Sequence, residues 1–159
     1  NDVLAERLGL EKLSSFIMTA QADGSAESLG RIGTLPAPVA IDDFAHSVCK
    51  RLGVSHVRLV RAADRPVRRV AVVGGAGAEF IDTAVRRGAD VYLTGDVKYH
   101  EAQRAAEQGM HLIDAGHFGT ERPVLPVLAD LLRAELAAEH GTVEILVTER
   151  QRDVFDVII

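Results

Sequence analysis

The sequence predicts an α/β fold in which a mainly parallel or mixed sheet is flanked by helices. From Pro66 onward, short apolar runs alternate with helix-patterned stretches, the alternation that builds parallel sheets. Most of these runs end in a glycine-rich or polar loop that leads into a helix. Hydrophobic residues at 47% and charged residues at 26% supply the core and the surface such a fold needs.

Taken in order, residues 1–8 have Val3, Leu4 and Leu8 on one side and read as the end of a helix stopped by Gly9. Residues 13–22 form a short apolar strand around Phe16, Ile17 and Met18, and Asp23-Gly24-Ser25 is turn chemistry. Gly30-Arg31-Ile32-Gly33 continues extended, and Pro36-Ala37-Pro38 makes a stiff connector. An amphipathic helix opens at Ile41, with Asp42 as its cap, and Gly53 closes it. Residues 56–61 alternate apolar and polar like a half-buried strand. The regular part follows, with strands at 69–73, 91–93, 111–114 and 143–147. Helices are expected from the glycine loop to about Arg87, over 98–108 and over 123–140.

Composition excludes several classes. The net charge is −5, and no basic run exceeds a pair such as Arg86-Arg87, so a nucleic-acid partner is disfavoured. No apolar run reaches the roughly 20 residues that span a bilayer, which argues against a membrane protein. The single cysteine, Cys49, permits no internal disulfide and reads as a buried apolar thiol in a cytoplasmic protein. Asn1-Asp2-Val3-Leu4 is neither a signal peptide nor a normal start, so the chain is expected to be processed or to lack its beginning.

Sites in sheets of this kind form at the carboxyl ends of the strands, where three polar loops converge. The first, Gly74-Gly75-Ala76-Gly77, fails the dinucleotide fingerprint, which would need glycine where Phe80 stands. It is either a tight strand-to-helix turn or an anion cradle. The second, Thr94-Gly95-Asp96, is followed by His100. Asp96 could cap the next helix or share its face with His100, which could be a structural hydrogen-bonding group or an acid–base residue. In the third, His117 and Glu121 are four residues apart, so one helical turn would set imidazole and carboxylate side by side. Such donors suit Zn, Mn, Fe or a similar divalent ion, although a plain helix-start pair has the same spacing and two ligands are too few for a tight site. His46, His56, His111 and His140 read as structural or solvent-facing, the helix dipole being sufficient for His140.

The three loops together carry a resemblance. Gly74-Gly75-Ala76-Gly77, Thr94-Gly95-Asp96-Val97-Lys98-Tyr99-His100 and Asp114-Ala115-Gly116-His117-Phe118-Gly119-Thr120-Glu121 resemble the dinuclear-metal family related to NGG-interacting factor three. Its bacterial members are known as GTP cyclohydrolase I type 2 homologues. Asn1-Asp2-Val3-Leu4-Ala5 and Gly30-Arg31-Ile32-Gly33 extend the likeness over nearly the whole chain. The resemblance implies the C-terminal part of a toroid-forming fold, a homohexamer and two divalent metal ions. The implied ligands are His117 and Glu121, joined by a His-His pair and an Asp from an N-terminal half. No His-His pair occurs here, so residues 1–159 are expected to be a single α/β domain lacking that half, with only part of the site.

The function expected is metal-dependent hydrolysis of a nucleotide or other small molecule, with His100 as proton shuttle and Asp96 orienting it. The alternative is a metal-binding, ring-forming scaffold or regulator without turnover. A metal-free Rossmann-type nucleotide binder is weakened by Phe80.

Overall fold

The structure is a computed structural model and describes residues 1–20, 25–138 and 143–158. Six strands form one mixed sheet: β1 (Glu11–Ala20), β2 (Ala26–Val39), β3 (Arg58–Val60), β4 (Val67–Ala76), β5 (Val91–Gly95) and β6 (His111–Asp114). Their spatial order is β1-β2-β4-β5-β6-β3. The β4/β5 and β5/β6 pairs are parallel, while β1/β2, β2/β4 and β3/β6 are antiparallel. The helices are α1 (Asp2–Arg7), α2 (Ile41–Leu52), α3 (Ile81–Arg86), α4 (Tyr99–Glu107), α5 (His117–Glu121) and α6 (Val124–Ala138), with a 3-10 turn at Ala78–Phe80.

The central strands are apolar throughout because both of their faces are covered. Successive side chains point to opposite faces. Val70 and Val72 of β4, Val91 and Leu93 of β5 and Ile113 of β6 pack with Leu4 of α1 and with Phe44 and Val48 of α2. Ala71, Val73, Tyr92 and Leu112 face the other way, toward Ile81 and Ala84 of α3 and Ala105 of α4. Two cores therefore lock the register of β4, β5 and β6, since a one-residue slip would exchange every contact. This rigid platform carries the three polar loops.

Several expectations change. Pro36-Ala37-Pro38 lies within β2, where the ladder to β4 is interrupted between Thr34 and Val39. Prolines have no N–H to give a ladder, which accounts for the gap. Asp42 does not cap α2: Ala40 holds that position without a side-chain bond, and the Asp42 carboxylate pairs with Arg61. Gly74, Gly75 and Ala76 belong to the end of β4 rather than to a free loop.

Residues 143–147 form no strand. Alternating apolar residues need a neighbouring edge to pair with, and this segment has no strand partner among the described residues. Val143 and Leu146 stand exposed, and Arg133 of α6 donates to the Ile145 carbonyl at 2.6 Å. Cys49 is half-buried rather than buried, and burial pushes its thiol up, away from thiolate reactivity. His46 and His56 are exposed, and His111 is fully buried on β6. His140 and the turn residues Asp23 and Gly24 lie outside the described residues. Among the described residues, no helix is long and apolar enough to cross a membrane.

Candidate metal centre

The carboxyl ends of β4, β5 and β6 open into a broad cleft of about 1340 Å3, lined among others by Asp96, Asp114, Gly116, His117, Thr120 and Glu121. Gly116 takes φ 75 and ψ 157, a conformation essentially confined to glycine, and so turns the chain from β6 into α5. One turn of α5 then places His117 Nε2 at 3.1 Å from Glu121 Oε1. The other ring nitrogen, Nδ1, lies 2.6 Å from Asp96 Oδ2. Asp96 follows β5 with φ 57, a left-handed conformation that few residues other than glycine adopt. About half of each of the three side chains is exposed, so the group faces the cleft rather than the core.

Electrostatics follow from that geometry. The Asp96 hydrogen bond holds the His117 imidazole above the usual histidine range, against a smaller opposing effect of burial and with added support from the Glu121 charge. When the ring loses its proton, the shorter contact to Asp96 favours keeping the hydrogen on Nδ1. The Nε2 lone pair is then directed to the Glu121 side.

Space at that point comes from Gly75. A Cβ there would sit 2.6 Å from Glu121 Oε1 and 3.3 Å from His117 Nε2, and the φ of 70 already disfavours a side chain. Thr120, between the two candidate ligands and 3% exposed, fixes the glycine by accepting the Gly75 N–H at 2.9 Å. Its hydroxyl donates in turn to the Gly116 or His117 carbonyl, at 2.9 and 3.0 Å. Behind it, Thr94 donates to the Gly75 carbonyl at 3.0 Å.

Of the four residues singled out from sequence, the structure therefore brings together Asp96, His117 and Glu121. Asp96 neither caps α4 nor orients His100. Lys98 is the residue before α4, and its N–H donates to Glu101 at 2.7 Å, while the left-handed turn at Asp96 aims the carboxylate at His117. His100 is exposed on the first turn of α4, edge-on to the Tyr99 ring, and is not among the residues lining the cleft. Sequence reasoning assigned no role to Thr120 or Asp114, although both stand in the motif around His117. Their placement between two candidate ligands and at the end of a strand was the available signal.

A sequence profile of the family Duf34/NIF3 (NGG1p interacting factor 3) matches residues 1–154. The chain belongs to this family. A Duf34/NIF3 relative from Clostridium perfringens, a GTP cyclohydrolase 1 type 2 homolog by name, is 30% identical across 99% of this chain and 58% of its own length. Another of the same name, from Nostoc, is 37% identical over 84% of this chain and 50% of its own length. The chain thus spans about half the length of these curated relatives. The crystal structure of a Bacillus cereus protein related to NIF3 superimposes with a TM-score of 0.89 over 99% of this chain and 69% of that one. At 22% identity, that likeness establishes the fold.

As a metal centre, the donor set fits in part. An imidazole nitrogen and a carboxylate oxygen converge beside a glycine-made space, with the opposite ring nitrogen held by an outer carboxylate, the usual support for a ligating histidine. Among the described residues, no group of three or more His, Cys, Asp or Glu side chains is arranged to hold an ion. Among the described residues, His117 Nε2 and Glu121 Oε1 are the side-chain atoms that meet beside Gly75.

Proposed function

We propose that this chain contributes part of a divalent-metal centre to a metal-dependent hydrolase of the Duf34/NIF3 family, acting on a nucleotide or related small molecule. The observation that carries the reading is the convergence of His117 Nε2 and Glu121 Oε1 at 3.1 Å, with Nδ1 fixed by Asp96. His117 and Glu121 would hold the ion, and Asp96 would keep the imidazole oriented. The chemistry a divalent ion supplies in such a centre is Lewis-acid polarisation and acidification of water for nucleophilic attack. Gly75 leaves room next to both donors, and the cleft is large enough for a nucleotide-sized ligand.

GTP is the first substrate to test because the relatives' name points to it. The two-ion centre and homohexamer expected from the resemblance belong to the same proposal, as does a cytoplasmic location. Support for assembly comes from α6, where Leu128, Leu131 and Leu132 are 46%, 61% and 43% exposed. The experiment is turnover of GTP and of a generic phosphoester with added Mn or Zn, comparing the wild type with Glu121→Gln. Metal-dependent product release that is lost in the variant is expected. Ion binding and assembly with no release above blank would favour the scaffold reading.

A further inference from the structure

Asp114 ends β6 with 6% of its surface exposed, and its hydrogen bonds run to the two loops whose side chains meet in the cleft and to β3. Oδ1 accepts the Gly116 N–H at 2.9 Å. Oδ2 accepts the Val97 N–H at 3.0 Å and also an Arg58 guanidinium N–H. The same Arg58 nitrogen donates to the Val97 carbonyl at 2.7 Å, so both polar groups of Val97 are held. Gly116 immediately precedes His117, and Val97 immediately follows Asp96. The two residues in contact at 2.6 Å are therefore each one peptide from a group fixed by the same buried carboxylate. Asp96 occupies a left-handed conformation, uncommon for any residue with a Cβ although Asp tolerates it better than most, and the surrounding hydrogen bonds hold it there.

We propose that Asp114, braced by Arg58, is a positioning residue that sets the Asp96–His117 hydrogen bond and thereby the tautomer of His117. The clamp acts from behind the site. Asp114 anchors the backbone on either side of the contact, and the ring nitrogen given to Asp96 determines which nitrogen is left for the cleft. The functional meaning of this deepens the metal-centre reading and rests on it, but the positioning itself belongs to the ion-free protein.

The test is nitrogen-15 NMR of the His117 ring in ion-free protein, at a pH above its titration. Wild type is expected to carry its hydrogen on Nδ1. In Asp114→Asn, one of the two accepting oxygens becomes an NH2 that would confront either the Gly116 N–H or the Val97 N–H with Arg58, so the loops lose their common anchor and Nε2–H should predominate. Asp96→Asn should reach the same end state directly. Arg58→Gln removes the brace from an exposed position, and an intermediate population is expected, restored by Arg58→Lys. If Asp114→Asn does not fold, the Arg58 pair decides. A folded Asp114→Asn or Arg58→Gln protein that keeps the wild-type Nδ1–H tautomer overturns the proposal. Zn titration of the wild type is read separately: no saturable binding by a wild type whose variants do shift the tautomer counts against the metal-centre reading and leaves the positioning role standing.

Discussion

Thr120→Val is the sharpest probe of how the cleft is held together. The two side chains have nearly the same shape, so the change removes a hydroxyl and little packing. In the wild type that hydroxyl accepts the buried Gly75 N–H at 2.9 Å. Gly116 O, which it also serves, keeps a second donor in the Thr120 N–H at 3.3 Å. The loss therefore concentrates on one orphaned backbone N–H, at a cost of about 1–3 kcal/mol. For a chain of this size about 2–4 °C of melting temperature accompanies each kcal/mol, so a fall of about 2–12 °C is expected. Thr120→Ser keeps the hydroxyl and loses one methyl, about 0.5–1.5 kcal/mol by comparison with other single-methyl deletions. Thermal and urea unfolding of the three proteins provide the assay. A Val variant as stable as wild type beside a weaker Ser variant would refute the reasoning, because packing rather than the hydrogen bond would then hold the loop.

Two further predictions concern the same loops. A Cβ on Gly95 would lie 2.7 to 2.9 Å from backbone atoms of Gly116 and His117, which cannot yield as a flexible side chain could. Gly95→Ala should therefore destabilise by about 1–3 kcal/mol and weaken the Asp96–His117 contact, and wild-type unfolding with an unchanged His117 ring spectrum would refute this. His117 should titrate above 6.5 in the ion-free protein, and Asp96→Asn should lower it, as read by NMR. Because the folded value is raised, the stability contributed is complete below the unfolded value and is lost as pH rises through the folded one. An ion competing for Nε2 should bind more tightly over that same rise, and affinity independent of pH there would contradict the assignment.

The sheet was legible where burial writes a strong pattern. Val70 to Val73 and Val91 to Leu93 are apolar on both faces because helices cover both, and their order with the intervening helices follows from alternation alone. Val143 to Val147 carry a similar local pattern without a ladder, since pairing depends on a neighbouring edge that local sequence does not encode. The caps failed for a related reason: Asp42 and Asp96 are good capping residues, yet each carboxylate found a stronger partner elsewhere, Arg61 and His117. His117 and Glu121 were legible together because one helical turn joins them. The contact of Asp96 with His117 spans 21 residues, and that of Arg58 with Asp114 spans 56, so both arise from strand register rather than from spacing.

The most direct test of the metal-centre assignment is equilibrium binding of Zn or Mn to ion-free protein, for wild type, His117→Ala and Glu121→Gln. Saturable binding by the wild type is expected, with a loss in each variant beyond the roughly 10–100-fold that removing an outer-shell partner costs. Wild-type affinity retained in His117→Ala would contradict the assignment.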